Sequence, residues 1–344
     1  MLKFLWKPLL MAVVVSGSAP GQMQHISVPA GKTLDKALKE STLGQAGARP
    51  FHVRLEISES KSGLPQYNAA VEETWNSPTE WRRTVTAQGL SQTTVVNASG
   101  THFVTTGDYY PLWLRNFVTG LFTPVPDAEH WNKSGEPLEH IEMPNGGHSN
   151  PCQQEDFNLG VPPVEQVNFA HLCFDNGLLE MVQGPSYTVE FRDYAKFDGL
   201  KVARKLLIET SHHVDLVGRV TVLEPVKAAN AVMFETPPGA SETDSVASVK
   251  VDAPMMIRLA GNGATFKWPD PIPGKGMFTV WLSLDTEGVV READPLNSDL
   301  SGLAADMAAQ LVGRKWKGAM KNGKSVQAQG PMVFAYPPEA GGGQ

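Results

Sequence analysis

Residues 187–209 read YTVEFRDYAKFDGLKVARKLLIE, and this pattern points to a fold class. Tyr187, Val189 and Phe191 alternate with polar residues, and a second alternating run at 201–208 follows the pair Asp198-Gly199. A period of two is typical of a half-buried strand, and Asp-Gly is a favoured hairpin turn. The stretch therefore predicts two adjacent antiparallel strands.

The same pattern recurs on both sides of a central helix. Short β-rich runs fill residues 67–107, strand patterning resumes from Val167, and a short helix at 33–43 precedes them all. Between the two sets, LWLRNFVTGLF at 112–122 has the broad apolar stripe of a helix. We predict one large antiparallel sheet, begun before this helix and completed after it. Residues 129–166 lack periodicity and are interpreted as a surface segment.

Composition excludes several classes of protein. With 41% apolar and 19% charged residues, the chain can build a core and is not disordered throughout. The 32 glycines and 26 prolines favour turns and short strands over a helical bundle. The net charge is −7, and no basic run follows the first residues, so no nucleic-acid partner is expected.

The first residues predict export. Lys3 and Lys7 precede the apolar run 9–15, and small residues follow it, which is the order of a signal peptide at 1–21. The apolar run is too short to span a bilayer, so no transmembrane anchor is expected after cleavage. Removing this segment leaves 27 basic against 36 acidic residues, a net charge of −9.

The two cysteines, Cys152 and Cys173, have three interpretations. An oxidising compartment favours a disulfide, which would close a loop and add about 3 kcal/mol of stability. Free thiols are the second alternative. A metal site that adds His148 and His171 is the third, although this spacing matches no known finger pattern.

The C-terminal part has a different order of elements. Small polar residues at 241–254 predict a linker, and the domain that follows spans 255–338. It contains two strands joined at 286–288, a helix, and a closing strand at 326–336. Residues 339–344 are expected to form a disordered tail.

This C-terminal stretch resembles the TonB C-terminal domain. The resemblance rests on GMFTVWLSLDTEGVVREAD at 276–294 and on LAADMAAQLVGRKWKGAMKNGKSVQAQGPMVFAY at 303–336. The chain departs from the family at 267–271, which reads KWPDP where the family has Pro-x-Tyr-Pro. The resemblance implies docking onto an envelope protein, with the terminal strand added to a partner's sheet.

The larger part, 22–240, resembles the LolA/LolB type of periplasmic protein. The features are an opening helix, EETWNSPTEWRRTV at 72–85, the stretch at 187–209 and MFETPPG at 233–239. The resemblance implies an incompletely closed antiparallel barrel with covering helices and an apolar cavity. Four aromatic residues are candidate contacts for an apolar ligand, with core filling as the alternative: Tyr67, Trp75, Trp81 and Phe103.

The sequence lacks two common catalytic patterns. There is no Gly-x-Ser-x-Gly elbow and no His-Glu-x-x-His helix. We therefore expect an exported, non-enzymatic protein without a cofactor, in the periplasm or peripheral at a membrane. The fold class is α+β and β-rich: the half-barrel plus a small ββαβ module. The first function hypothesis is protein docking through that module, and the alternative is transport of lipid or lipoprotein in the half-barrel cavity.

Overall fold

The structure is a computed structural model that describes residues 26–61, 63–126, 128–134, 137–141, 150–157, 168–184, 187–209, 214–226, 231–269, 276–298 and 301–336. The predicted signal peptide at 1–21, the tail at 339–344 and His148 lie outside these ranges.

Thirteen strands of the described residues form one antiparallel sheet. In chain order they are β1 (Ile26–Pro29), β2 (Phe51–Glu59), β3 (Ala69–Ser77), β4 (Glu80–Ala87), β5 (Leu90–Asn97), β6 (Gly100–Thr106), β7 (Pro137–Ile141), β8 (Asn150–Phe157), β9 (Asn168–Asp175), β10 (Leu178–Gly184), β11 (Tyr187–Phe197), β12 (Leu200–Glu209) and β13 (Asp215–Pro225). The spatial order is β1-β7-β8-β9-β10-β11-β12-β13-β2-β3-β4-β5-β6.

The pairing of β13 with β2 joins the two halves of the sheet. This confirms the prediction of a sheet that is begun before the central helix and completed after it. Among the described residues the outermost strands β1 and β6 do not pair with each other, so the sheet is open. The β11–β12 hairpin turns at Asp198 and Gly199, whose φ angles of 46° and 86° suit an Asp-Gly turn.

Three helices cover one face of this sheet: α1 (Ala30–Ser41), α2 (Leu112–Phe122) and α3 (Ala128–Ser134). Helix α2 has the predicted bounds, and its Leu114 and Phe117 are fully buried. A Cβ atom at Gly218 of β13 would lie 2.7 Å from the Phe117 ring. The glycine therefore allows the helix to approach the sheet closely.

The interpretation of residues 129–166 as a surface segment was wrong for the described part. Residues 128–134 form α3, and β7 and β8 are strands of the large sheet. Trp131 of α3 is buried in the core. The strand β8, NPCQQEDF, carries no apolar alternation, so its place in the sheet depends on its neighbours and on a covalent link.

That link is a disulfide between Cys152 of β8 and Cys173 of β9. The two residues lie directly opposite each other in the ladder. The disulfide prediction is confirmed, and the sulfur atoms required by the metal alternative are bonded to each other. The ring nitrogens of His171 lie within hydrogen-bond distance of Gln183 and Gln154, at 2.6 and 3.0 Å.

We expect the C152S/C173S variant to lose about 3 kcal/mol of free energy of unfolding, because the bridge closes a loop of 21 residues. Denaturant unfolding of variant and wild type measures the difference. Reductant should destabilise the wild type and leave the variant unchanged, which separates the bridge from side effects of the serines. Equal unfolding midpoints without reductant would contradict the prediction.

A second sheet follows, with the order β14-β18-β15-β16 and with β17 paired to β18. Its elements are β14 (Ser248–Lys250), α4 (Ala253–Ala260), β15 (Gly276–Leu284), β16 (Val290–Ser298), α5 (Ser301–Ala309), β17 (Ala319–Lys321) and β18 (Lys324–Tyr336). We call β1–β13 with α1–α3 the first unit, and β14–β18 with α4 and α5 the second unit.

The structure corrects one expectation for this region and bears on another. The predicted linker, 241–254, contains β14 and the start of α4, and Val246 is fully buried in the first unit's core. The proposed docking strand β18 pairs with β17 and β14 along residues 324–329 of one edge and with β15 along residues 328–336 of the other. Both edges are paired only at residues 328 and 329, so addition to a partner's sheet would have to use the stretches of each edge that these strands do not cover, and docking stays a prediction.

Candidate functional site

A cavity of about 570 Å³ lies between strands β4–β6, helix α2 and the second unit. Cross-strand register places Arg83, Thr94 and Phe103 side by side on its sheet wall. Trp81 and Val85 occupy the neighbouring rows of the same face. The volume is within the roughly 300–1,000 Å³ of typical small-molecule sites.

The opposite walls come from α2 and from the second unit. Helix α2 contributes Leu112, Arg115 and Val118, of which Leu112 is buried and the other two are partly exposed. The second unit contributes Trp281 of β15 and Lys250 of β14. The cavity thus combines aromatic and aliphatic surface with several charged groups.

The middle of the half-barrel, by contrast, is filled. Beneath α2 the cavity next to Gly120, Phe191 and Leu206 measures only about 20 Å³, which is room for about one water molecule. The larger open space lies toward β4–β6 and the second unit, and a smaller cavity of about 230 Å³ lies beside Phe51 and Phe197.

The four predicted ligand contacts divide into two pairs. Trp81 and Phe103 line the cavity. Trp75 is 4% exposed and stacks on Phe51, with ring centroids 5.3 Å apart, so it fills the core. Tyr67 packs edge-on against Trp113, with ring centroids 5.6 Å apart, and does not line this cavity. Ligand contact at Trp81 and Phe103 stays a prediction.

A buried ion pair lies in the sheet wall. Arg83 Nε and Nη2 lie 2.7 and 2.6 Å from Glu73 Oε2, and Glu73 is 2% exposed. Burial raises the pKa of Glu73, and the Arg83 charge and hydrogen bond oppose this shift. The Arg83 guanidinium also lies over the Phe122 ring, 3.8 Å from its centroid. The pair thus links the sheet to α2.

Arg115 of α2 connects the two units. Its guanidinium donates to the carbonyl of Val246, to the carbonyl of Tyr110 at 3.3 Å and to Gln327 Oε1 of β18 at 2.7 Å. Burial lowers the pKa of Arg115. No carboxylate of the described residues lies within 4.0 Å of this cation, so its direct contacts are amide oxygens and the Tyr110 ring, whose centroid is 4.1 Å from Cζ.

Beside it, Glu292 of β16 receives two hydrogen bonds from the first unit. The Tyr109 hydroxyl donates to Glu292 Oε1 at 2.6 Å, and the backbone N–H of Leu112 donates to the same atom at 2.8 Å. Pro111 provides no side-chain cap for α2, so a carboxylate from the second unit stabilises the helix N-terminus. Burial, and then Glu292, raises the pKa of Tyr109 well above 10.0, which keeps the donor protonated.

Sequence reasoning missed Arg115, Lys250 and Trp281 as residues of this site. Arg115 is the charged residue within an otherwise uncharged, largely apolar helix, which is a signal that one sequence can show. Lys250 was assigned to the linker, and Trp281 belongs to a strand that was assigned to the separate C-terminal domain. Their role depends on how the two units pack, and this packing leaves no mark in local periodicity.

No protein-family model matches the chain, and no curated protein sequence matches it. Among solved structures, a LolA superfamily protein from Nitrosomonas europaea is 9% identical, with 61% of this chain and 99% of that chain covered, at a TM-score of 0.28. A putative outer membrane lipoprotein-sorting protein domain from Vibrio parahaemolyticus is 10% identical, with 60% and 95% covered, at 0.28. A DUF1329 family protein from Desulfovibrio piger is 10% identical, with 61% and 98% covered, at 0.33. These TM-scores are too low to transfer a function.

Within the described ranges, no helix is both long enough and apolar enough to cross a membrane.

Proposed function

We propose that the protein is an exported, periplasmic carrier that binds a lipid or the acyl chain of a lipoprotein, and that it is not an enzyme. One observation carries the proposal: the cavity of about 570 Å³ has aromatic and aliphatic walls and is shared by both units. The carrier was the alternative hypothesis from the sequence. It becomes the leading one because the cavity is present, whereas much of the strand assigned to docking already pairs with β17 and β14 on one edge and with β15 on the other.

The location of the cavity changes the expected mode of binding. Helix α2 fills the middle of the half-barrel through Leu114 and Phe117, so an acyl chain would lie along β4–β6. There Trp81, Val85 and Phe103 offer apolar surface, and Trp281 faces them from the second unit. Burying an acyl chain against these side chains provides the hydrophobic free energy of binding.

Native mass spectrometry and uptake of a fluorescent fatty acid test this proposal. We expect purified protein to carry an extra mass that organic solvent removes, and the emptied protein to bind the probe. Replacing Thr94 with tryptophan fills the cavity from the sheet wall and should weaken probe binding at least about tenfold. The matched control is T86W, since Thr86 is exposed on the opposite face of β4.

The T86W variant should bind like wild type, and thermal melts should show both variants folded. A protein that is isolated empty and takes up no fatty acid would overturn the carrier proposal. A folded T94W variant with unchanged affinity would place the ligand outside this cavity.

A further inference from the structure

The charged groups that line the cavity are mainly cationic. Arg83, Arg115 and Lys250 contribute positive charge, and Asp244 contributes negative charge. The chain as a whole has a net charge of −7, so this positive lining runs against the overall balance. A cleft lined mainly by one sign of charge concentrates counter-ions of the opposite sign.

The four charged groups are not equally available to a ligand. The charge of Arg83 is neutralised by Glu73. The remaining charged groups of the lining are two cations, Arg115 and Lys250, and one anion, Asp244. Asp244 Oδ1 accepts hydrogen bonds from Gln92 Nε2 at 2.8 Å and from the backbone N–H of Val246 at 3.0 Å. Its carboxylate is thus held by neutral donors of the cavity wall.

Arg115 and Lys250 lack a carboxylate partner within the described residues. Arg115 is partly buried; its hydrogen bonds go to neutral oxygen atoms, and Asp244 and Glu292 act on its charge without forming an ion pair. Lys250 is exposed and lies opposite Gln329, another residue of the cavity lining. A partly buried cation without a direct ion-pair partner is costly, and a bound anion would supply one.

Resting on the proposed carrier function, we propose that the cavity selects an anionic amphiphile. The acyl chain lies on Trp81 and Phe103, and the acidic head group, a carboxylate or a phosphate, is bound by Arg115 and Lys250. The second unit then contributes to ligand recognition, since Lys250 belongs to β14. A neutral lipid of the same chain length would make the apolar contacts only.

The test compares two probes with the same chain, dansylaminoundecanoic acid and its methyl ester, on the full purified protein. We expect the acid to bind at least about tenfold more tightly than the ester, as charge-assisted hydrogen bonds to arginine predict. Raising the salt from about 0.05 M to about 0.5 M should weaken acid binding and leave ester binding unchanged. Competition by dodecyl phosphate against dodecanoate distinguishes a phosphate from a carboxylate head group.

Three variants assign the head-group site. K250Q should weaken acid binding about threefold without changing ester binding, as expected for one exposed charge. R115Q should weaken acid binding about tenfold. If R115Q does not fold, the result for K250Q is the test of the head-group site. The control is K321Q, an exposed lysine of β17 outside the cavity lining, and it should bind both probes like wild type.

Equal affinity for acid and ester would overturn the head-group inference while the carrier function stands. Failure of both probes to bind would instead overturn the carrier function itself. The wild type could prefer the acid strongly while K250Q and a folded R115Q keep the same preference. That result would refute the assignment of the head-group site to Lys250 and Arg115.

Discussion

Replacing Arg83 with methionine is expected to lower the free energy of unfolding by about 3–5 kcal/mol near neutral pH, because it leaves a buried charge without a partner. Glu73 is 2% exposed, and its Oε2 atom lies 2.6 and 2.7 Å from two nitrogen atoms of Arg83. Methionine keeps most of the apolar stem of arginine, so the loss reflects the charge more than the packing. Denaturant unfolding measures the effect.

The deficit of R83M should shrink as the pH falls. Burial already raises the pKa of Glu73, and Arg83 opposes the rise, so removing Arg83 raises this pKa further. A carboxyl group whose pKa is raised by folding stabilises the protein below its unfolded pKa and loses that contribution as the pH increases. R83M should therefore approach wild-type stability as the pH is lowered toward 4.5, the ordinary glutamate value.

Two comparisons make this prediction specific. R82M changes the neighbouring residue on the opposite face, where Arg82 Nη1 lies 3.5 Å from the Met233 carbonyl, and it should cost less than about 0.5 kcal/mol. The double variant E73L/R83M removes both charges and should recover most of the loss. A deficit of R83M that does not change with pH would show that lost packing, and not the charge of Glu73, is responsible.

Local patterns in the sequence were sufficient to predict most of the first unit. The hairpin at 187–209 was predicted because its side chains alternate and Asp198-Gly199 suits the turn, and the structure pairs these strands as β11 and β12. Helix α2 was predicted with its final bounds because a wide apolar stripe lies between Pro111 and Pro124. In each case the residues that determine the element are close together in the chain.

The other elements depend on contacts between distant residues. Strand β8 has no alternation, and it joins the sheet through its ladder to β9 and the bridge from Cys152 to Cys173. Residues 248–250 were assigned to a linker because they are small or polar, yet they pair with β18, about 80 residues further along the chain. The candidate site combines β4–β6, α2 and the second unit, so local periodicity could not predict its location.

Replacing Phe117 with alanine is expected to lower the free energy of unfolding by about 3–5 kcal/mol, the second large effect. Its ring is fully buried and lies so close to Gly218 that a Cβ atom there would be 2.7 Å away. This tight fit leaves a cavity when the ring is removed, because the backbone of β13 cannot easily fill the space. Denaturant unfolding measures the loss.

F103A is the matched control, because Phe103 is half-buried and lines the cavity. It should cost less than about 1 kcal/mol in stability but should weaken binding of the fluorescent fatty acid. F117A should have the opposite profile under conditions where it stays folded, because Phe117 is on the core face of α2, whereas Arg115 and Val118 line the cavity. F103A and F117A could instead each lower both the stability and the binding affinity. The residues of the core and of the cavity wall would then not have separate roles, and the proposed position of the ligand along β4–β6 would be wrong.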